Sequence, residues 1–358
     1  MTLDWYPNER DRSWRCAAPS PAAAAFHRTL PGYAPTRLLA LPELAQAFGV
    51  AHVFAKDETS RLSLPAFKGL GASWAVHRAL ATHPAGTGVT VVTATDGNHG
   101  RAVARFARLA GQRASIFVPV GVSAFAIAAI RDEGARVTQV NGTYDEAVAA
   151  AALAAAAPQH VLVQDTAWEG YETVPGWIVE GYDTMFVEID AQLHAAGIAA
   201  PDLVVVPTGV GSLLQAALAH YRCRDASTAV VSVEAAQSGA CMAVSLAAGK
   251  PVTVAMSTTI MAGLNCGTPS SLAWPYIQHG LDAAIAVTDA ADAQAAHYLA
   301  TLGVAAGPCG ASGLAALRVA LLGNEREPRR RHLGLTEDST IVLIVTEGVD
   351  ANPLPTTD

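Results

Sequence analysis

Strand-like and helix-like segments alternate along this chain. From residue 89 onward, short runs rich in Val and Ile are each followed by a longer segment with helical spacing, and turns bearing Gly or Pro join them. Strict alternation of this kind is typical of α/β proteins, in which helices cover both faces of a parallel sheet. The first series predicts strands at 89–93, 114–118, 136–140 and 160–164, and helices at 100–109, 124–133 and 144–157.

A second series follows a long helical segment predicted at 178–196. It predicts strands at 203–206, 229–233 and 341–345, helices at 212–222 and 239–248, and a helix that opens at Gly310. We therefore expect an α/β fold of two interleaved three-layer lobes with mainly parallel sheets. The predicted division is a large domain formed by residues 1–80 and 195–358 and a small domain formed by residues 81–194. Such folds bind ligands in the cleft at the carboxyl ends of their strands.

Composition narrows the class of partner. The chain has 358 residues, is 51% hydrophobic and carries a formal net charge of -8. It lacks the basic face that nucleic-acid phosphates require, so we expect no nucleic-acid partner. The run Arg329, Arg330, Arg331 is the one basic cluster, and its acidic neighbours predict a solvated loop.

Neither a membrane span nor a secretory segment is predicted. The first residues are charged where a signal peptide would be apolar, and no unbroken apolar run reaches the roughly 18 residues that a bilayer requires. The five cysteines, at positions 16, 223, 241, 266 and 309, lack the spacing of a zinc site or a disulfide scaffold. We expect a cytoplasmic protein without a metal. Cys241 and Cys266 flank segments expected near the cleft, and we expect free thiols there, although their pairing stays open.

One lysine stands out by its surroundings. Lys68 lies among Pro, Ala, Phe, Gly and Leu, in what reads as a short loop before a helical run. A lysine amine is useful in covalent catalysis when it forms a Schiff base with a carbonyl, and neighbouring glycines let a flat ring approach the backbone. Most lysines are solvated surface residues. This apolar setting favours a functional role instead.

A glycine-rich turn provides a phosphate site. Residues 207–213 (Pro-Thr-Gly-Val-Gly-Ser-Leu) follow a predicted strand and lead into a helix. Backbone amides at a helix N-terminus bind anions, so we expect contacts from Gly209, Val210, Gly211, Ser212 and Leu213. The turn lacks the Gly-Lys-Ser/Thr of a nucleotide P-loop, and alone it is also compatible with an ordinary strand-to-helix turn. Together with a Schiff-base lysine it indicates pyridoxal 5'-phosphate, which bears both an aldehyde and a phosphate.

Residues 95–100 (Thr-Asp-Gly-Asn-His-Gly) also join a strand to a helix. We expect Thr95, Gly97 and His99 to face a substrate carboxylate, and Asn98 to contact the phenolic oxygen of the cofactor. Asp96 is compatible with two roles. It is either a helix-capping carboxylate or a general base above the substrate.

Two further strand ends carry polar side chains. Asp165 ends the strand predicted at 160–164, and Glu169 follows one helical turn later, where we expect it to contact substrate. Thr346 ends the last apolar strand and is placed to offer a hydroxyl to a pyridine nitrogen. A neutral partner there leaves the ring a weaker electron sink, which favours elimination over transamination. A β-branched residue at a strand end is equally compatible with a structural role.

These motifs together resemble the tryptophan-synthase-β-like, or fold type II, pyridoxal-phosphate enzymes. Within that superfamily the chain is most similar to the diaminopropionate ammonia-lyase family. The segments that carry this resemblance are residues 26–36, 94–101, 164–171 and 259–267. Asp96 stands where threonine and serine dehydratases usually have serine. The resemblance runs from about Phe26 to Pro353.

The resemblance implies a homodimer acting on 2,3-diaminopropionate, a small amino acid. It implies that Lys68 binds the cofactor and that Asp96 takes the α-proton of the D-isomer, whereas Lys68 serves the L-isomer. Asp165 would assist near the β-amino group. Loss of ammonia leaves aminoacrylate, which hydrolyses to pyruvate and a second ammonia.

Three other readings remain open. The nearest is another β-eliminating or β-replacing enzyme of the same fold, such as a serine or threonine dehydratase. A protein that binds the cofactor and amino acids without turnover is a different class. It is disfavoured because Asp96 and Asp165 would then have no task that a neutral residue could not perform. A nucleotide-binding dehydrogenase is disfavoured because the Gly-x-Gly-x-x-Gly fingerprint is absent after the first strand.

Overall fold

The computed structural model of the chain describes residues 4–84, 86–224 and 227–354. Within these ranges the chain forms eleven β-strands and thirteen α-helices. The strands are β1 Trp5–Pro7, β2 Leu38–Ala40, β3 His52–Asp57, β4 Thr90–Ala94, β5 Arg113–Pro119, β6 Arg136–Val140, β7 His160–Leu162, β8 Leu203–Pro207, β9 Ala229–Ala235, β10 Ala283–Val287 and β11 Thr340–Val345.

The helices lie between and around these strands. They are α1 Ala22–His27, α2 Pro42–Phe48, α3 Lys68–Leu80, α4 Asn98–Leu109, α5 Ala124–Asp132, α6 Tyr144–Ala155, α7 Thr173–Ala195, α8 Ser212–Arg222, α9 Cys241–Ala248, α10 Trp274–Gly280, α11 Asp289–Thr301, α12 Pro308–Leu321 and α13 Arg326–Leu333. None of the described helices is both long and apolar enough to cross a bilayer.

The strands form two sheets. The larger has the order β1-β10-β9-β8-β11-β3-β2 and the smaller the order β6-β5-β4-β7. All pairs are parallel except the two at the edges of the larger sheet, where β1 and β2 run antiparallel to their neighbours. This confirms the predicted α/β fold with mainly parallel sheets.

A continuous apolar core joins the two sheets. One buried cluster contains Val91 and Ile116 of the smaller sheet together with Val204 and Ile344 of the larger sheet. Helix α7 packs against α1, α3 and α8. The strands of the larger sheet lie in 1–80 and 195–358 and those of the smaller in 81–194. The exact boundaries of the predicted domains stay a prediction.

The alternation from residue 89 onward is confirmed, with small shifts at the ends of elements. Strand β7 ends at Leu162 rather than at residue 164. The reason is that a side chain replaces the backbone as hydrogen-bond partner of β4. Oε1 of Gln164 accepts from the backbone N–H of Ala94 and from the hydroxyl of Thr93, each at 2.9 Å. Helix α7 begins at Thr173 instead of residue 178. The sequence did not predict β1, β2, β3 or β10, which are short or follow weak alternation.

The prediction of a solvated loop at residues 329–331 is wrong. These arginines belong to helix α13. Arg330 donates to the backbone carbonyls of Phe48 and Gly49, and Arg329 donates to that of Val319. The guanidinium of Arg329 also lies 5.3 Å from the ring centroid of Trp5. The cluster ties the C-terminal helix to the rest of the larger lobe because arginine can satisfy several backbone carbonyls at once.

Candidate active site

Two backbone hydrogen bonds bring the lysine segment to the end of the last strand. The N–H of Phe67 donates to the carbonyl of Thr346 at 3.0 Å, and the N–H of Gly348 donates to the carbonyl of Pro65 at 2.9 Å. Lys68 follows as the first residue of α3. The predicted placement in the loop before this helix is therefore wrong, because the helix already begins at the lysine. This pairing places Lys68 at the carboxyl edge of the larger sheet.

The amine of Lys68 forms an ion pair. Its Nζ donates to Oδ2 of Asp165 at 2.6 Å, and the lysine side chain is 23% exposed. Burial alone would lower the pKa of the lysine amine, but the negative charge of Asp165 outweighs it and raises that pKa above its usual value. Lys68 is therefore held as an ammonium ion in this structure.

Asp165 lies between cationic and polar groups. Burial would raise the pKa of its carboxyl, but the positive charges of His99, in its protonated form at low pH, and of Lys68 lower it to about 2. The amide of Gln164 donates to Oδ1 at 3.3 Å. The carbonyl of Asp165 accepts from the hydroxyl of Ser212 at 2.9 Å, which connects the smaller sheet to the glycine-rich turn. Asp165 is thus ionised at neutral pH.

Asp96 has the opposite character. Its side chain is accessible from the cleft, yet protein surrounds it on most sides. This burial, with the negative charge of Asp165, raises the pKa of the Asp96 carboxyl to about 7, although Lys68 opposes the shift. No residue in the described part of the chain donates a hydrogen bond to it. A carboxylate with a pKa near neutrality is suited to proton transfer.

Hydrogen bonds within the turn between β4 and α4 hold it in place. The hydroxyl of Thr95 accepts from the N–H groups of Gly97 and Gly100, at 2.9 and 3.0 Å. The amide of Gly97, which the sequence predicts to face substrate, is therefore engaged inside the turn. At this helix N-terminus the amides of Asn98 and His99 donate to no described residue and remain available for an anion.

His99 is a buried neutral histidine next to Asp165. Its Nε2 donates to the carbonyl of Val163 at 2.8 Å. Its Nδ1 lies 3.8 Å from Oδ2 of Asp165 and makes no hydrogen bond to any described residue. Burial lowers the pKa of this imidazole even though Asp165 opposes the shift. The ring orders the wall of the cleft behind Asp165.

The glycine-rich turn forms an anion cradle. The backbone N–H groups of residues 209–214 donate to no protein atom in the described ranges. A Cβ at Gly209 would lie 2.7 Å from the carbonyl oxygen of Gly263, and Gly211 has a φ of 106°, which only glycine adopts readily. The geometry suits a phosphate. The hydroxyl of Ser212 already donates to Asp165, so the contribution of this residue to an anion is its amide.

Thr346 and Asn98 follow the carboxyl ends of β11 and β4. The Oγ1 of Thr346 is buried and has no hydrogen-bond partner among the described residues. Asn98 donates through Nδ2 to Oε2 of Glu347 at 2.5 Å. Glu347 is buried, which raises the pKa of its carboxyl, and it also accepts from the N–H of Cys309. The sequence gave no role to Glu347, although it directly follows the predicted Thr346.

Glu169 does not join this group. Its side chain is exposed in the turn that follows Asp165, and no described residue forms a hydrogen bond or an ion pair with it. Trp168 and Tyr171 stack beside it with ring centroids 4.4 Å apart.

Cys241 and Cys266 are both free thiols. No cluster of three or more His, Cys, Asp or Glu side chains in the described ranges is arranged to hold a metal ion.

Comparison with known proteins agrees with this geometry. The family described as pyridoxal-phosphate dependent enzyme matches residues 29–347. The chain belongs to the pyridoxal-phosphate-dependent enzyme family. It is 33% identical over 354 residues to diaminopropionate ammonia-lyase of Escherichia coli K12, covering 91% of this chain and 87% of that one. It is also 34% identical to a biosynthetic L-threonine dehydratase of Mycobacterium leprae, but over only 171 residues, 46% of this chain and 36% of the relative.

A solved member of this pyridoxal-phosphate-dependent family has the same fold. The crystal structure of E. coli diaminopropionate ammonia-lyase with a reaction intermediate superposes with a TM-score of 0.88, at 31% identity, covering 97% of this chain and 94% of that one. The same protein has also been crystallised with D-serine. The chain is therefore a fold type II enzyme, a lyase whose cofactor is pyridoxal 5'-phosphate.

Polar groups of the cleft that lack partners among the described residues fit the phosphate and the ring nitrogen of that cofactor. The free amides of residues 209–214 match a phosphate, and the unpartnered hydroxyl of Thr346 matches a ring nitrogen. Lys68 is linked to both: its neighbour Phe67 donates to the carbonyl of Thr346, and its partner Asp165 accepts from Ser212 of the turn. These matches rest on buried polar groups that would otherwise lack partners.

Proposed function

We propose that this enzyme converts 2,3-diaminopropionate and water to pyruvate and two molecules of ammonia. The observation that carries the proposal is the pair of carboxylates facing Lys68 with opposed acidities, Asp96 with a pKa of about 7 and Asp165 with a pKa of about 2. Two titratable groups with pKa values pushed apart are typical of acid–base catalysis. The similarity to diaminopropionate ammonia-lyases over most of the chain supports this substrate.

The residues that would hold the cofactor follow from the cleft. Lys68 would provide the amine for its aldehyde and residues 209–213 would bind its phosphate. Asn98 would contact its ring oxygen and Thr346 its ring nitrogen. When bound, the cofactor supplies the electron sink for the bonds broken at the substrate. The amides of Asn98 and His99 are available for the substrate carboxylate.

The proton steps belong to the protein. Asp96, half ionised near pH 7, takes the α-proton of the D-isomer, and the freed amine of Lys68 takes that of the L-isomer. Asp165 stays ionised and holds a cationic amine, either that of Lys68 or the β-ammonium of the substrate. Thr95 keeps Asp96 in place through the ordered turn.

The test is a substrate panel on the purified holoenzyme. Pyruvate and ammonia release are measured with D- and L-diaminopropionate, serine and threonine, with the Lys68→Ala variant as the control. We expect diaminopropionate to react much faster than the hydroxy amino acids, and Lys68→Ala to lose both the cofactor absorbance and turnover. Faster release from serine or threonine would make the enzyme a dehydratase. Cofactor binding without any turnover would make it a binding protein.

We propose further that the enzyme is a homodimer of the cytoplasm. The free cysteines of the described chain suit a reducing compartment. Light scattering of the holoenzyme measures the mass directly, and a single species of about 37 kDa, close to the 36.9 kDa of the chain, would contradict the dimer.

A further inference from the structure

The two helices beneath Lys68 approach each other through glycines. A Cβ at Gly71 of α3 would lie 2.6 Å from the ring of Tyr182 on α7. A Cβ at Gly181 of α7 would lie 2.6 Å from the carbonyl oxygen of Leu70 on α3. A real Cβ does not approach a non-bonded heavy atom this closely. The missing side chains let the ring of Tyr182 lie directly against the first turn of α3, which Lys68 begins.

The hydroxyl of Tyr182 has no visible purpose in packing. Its side chain is fully buried, and its Oη makes no well-formed hydrogen bond to any residue in the described ranges, although the amine of Lys68 lies close enough to act on it as a donor. Buried hydroxyls are nearly always hydrogen-bonded, because leaving one unpaired costs about 1 to 3 kcal/mol. A phenylalanine would fill the same space without that cost. The hydroxyl therefore needs a functional explanation.

The nearest charged group has hydrogen-bond donors to spare. The Nζ of Lys68 lies 6.0 Å from the ring centroid of Tyr182 and 5.3 Å from that of Phe67. The two aromatic rings lie 4.8 Å apart and form one wall beside the amine. An ammonium has three N–H donors. Within the described chain, Lys68 donates one of them to Asp165, and Tyr182 is the further acceptor that its amine acts on.

We propose that Tyr182 is a positioning residue for Lys68, whose hydroxyl accepts a hydrogen bond from the lysine amine whenever that amine is not joined to the cofactor. Asp165 and Tyr182 then hold the amine from two directions, so that it stays aimed at the cofactor and substrate. No proton is transferred to the tyrosine in this role. The importance of this role for catalysis rests on the proposed function, in which the Lys68 amine is joined to the cofactor and released from it.

The charges around the amine are consistent with a neutral hydroxyl. Burial raises the pKa of Tyr182. The charge of Lys68 and a hydrogen bond from its amine oppose this, but the phenol stays protonated across the neutral range. The other titratable groups that act on Lys68 are Asp165 and Cys266, and it in turn acts on Asp96 and His99. All of these remain in a Tyr182→Phe variant, which removes only one acceptor.

The test measures the acidity of the Lys68 amine without any turnover. The full-length chain is freed of cofactor, its fold is checked by circular dichroism, and acetylation of Lys68 is followed by mass spectrometry as a function of pH. We expect Tyr182→Phe to lower the apparent pKa of the amine by about one unit, since the ammonium loses a charged hydrogen bond. That shift makes acetylation below this pKa about tenfold faster.

Tyr221→Phe is the matched control. Tyr221 is equally buried, but its hydroxyl lies 3.5 Å from Asp190, between α7 and α8. We expect this variant to leave the Lys68 profile unchanged. An unchanged profile in Tyr182→Phe would overturn the proposal, whatever substrate the enzyme uses. If Tyr182→Phe does not fold, 3-fluorotyrosine at position 182 keeps the ring and weakens the acceptor, and it must still lower the pKa.

Discussion

Single residues in this cleft take their chemistry from their neighbours. Asp96 and Asp165 are both carboxylates at the carboxyl edge of the smaller sheet, yet the pKa of the first is about 7 and that of the second about 2. The neighbours of Asp165 make the difference. His99 and Lys68 lower its pKa, and it accepts the hydrogen bond of Lys68 at 2.6 Å, whereas Asp96 accepts none from the described residues. Residue type alone does not separate their roles.

Asp96→Asn tests the division of labour between the two bases. We expect the variant to bind cofactor normally, to lose turnover of D-diaminopropionate and to keep part of its activity on the L-isomer. In the unchanged enzyme, the D-isomer rate should rise with pH through about 7, since the carboxylate must be ionised to accept a proton. Initial rates of pyruvate formation for both isomers between pH 5.5 and about 8.5 measure this. Equal loss on both isomers would refute the division.

Outside the cleft, the pKa of Asp292 is also set by burial and by neighbouring charges. It is fully buried, neither oxygen has a partner in the described chain, and burial, Asp289 and Glu347 raise its pKa to about 8. The folded state keeps a proton that the unfolded state loses above about pH 4. Stability is therefore lost as pH rises from about 4 to about 8.

Asp292→Asn should remove this loss. We expect the free energy of unfolding to rise by about 2 kcal/mol at pH 8 and to change little at pH 4, as measured by urea denaturation. Asp289→Asn is the control, because Asp289 accepts hydrogen bonds from Thr259 and from the N–H of Ile260. That variant should destabilise the protein at pH 8. A gain from Asp292→Asn that is equal at both pH values would show that its charge is not the cause.

At the scale of elements, the crossing of α3 and α7 decides where the lysine lies. Near the crossing, His27 bonds to Thr184 of α7 at 2.7 Å and to the carbonyl of Leu70 of α3 at 3.0 Å. Burial lowers the pKa of this histidine to about 4, so it is neutral and bridges the helices through hydrogen bonds. Helix α3 is thereby held in place directly behind Lys68.

Gly71→Ala should disturb this crossing. The added methyl group would meet the ring of Tyr182 at 2.6 Å and Ile178 at 2.7 Å, so we expect a loss of about 2 to 3 kcal/mol in thermal or urea unfolding. Gly176→Ala, also on α7, is the matched control, because its nearest neighbour is Leu272 at 4.0 Å. That change should be neutral or stabilise by up to about 1 kcal/mol. Similar losses in both variants would mean that the close approach of α3 to Tyr182 is not the cause.

At the scale of the whole molecule, a buried ion network joins distant parts of the chain. Lys56 of β3 and Arg61 both bind Glu188 of α7, at 2.6 and 2.7 Å, and Arg61 also binds Glu58 at 2.6 Å. Tyr33 donates to Glu188 at 2.8 Å. The two cations and two carboxylates balance, which is required at this depth of burial. The network anchors the segment that leads to Lys68.

Glu188→Gln should break this balance. The arginine and lysine would remain buried with one carboxylate fewer, so we expect a loss of about 3 to 5 kcal/mol in urea unfolding. Glu180→Gln on the same helix is the control. Its ion-pair partner Arg78 lies 3.8 Å away with side chains 41% and 34% exposed, and a glutamine can still accept the hydrogen bond that Trp74 donates at 2.9 Å. That variant should lose less than about 1 kcal/mol.

Arg61 and Lys56 lower the pKa of Glu188 although burial opposes them, so the stabilisation is lost as the pH falls through that pKa. A small loss in Glu188→Gln would mean that the network contributes little to stability.

The amino-acid sequence by itself determined the α/β alternation, the class of cofactor and the segments that form the cleft. Each of these depends on neighbouring residues: apolar periodicity defines a strand or helix, and glycines before a helix define an anion site. The edge strand β1 and the helix at residues 329–331 escaped prediction because tertiary contacts stabilise them.

Only the tertiary structure decided which side chains meet. Asp165 reaches Lys68 across 97 positions of sequence, and Glu188 reaches Arg61 across 127. It also showed that the hydroxyl of Tyr182 is buried beside the amine of Lys68 and that Glu169 is exposed. The physical reason is that pKa values and buried hydrogen bonds depend on solvent exclusion and on charges a few ångströms away, which the order of residues along the chain does not specify.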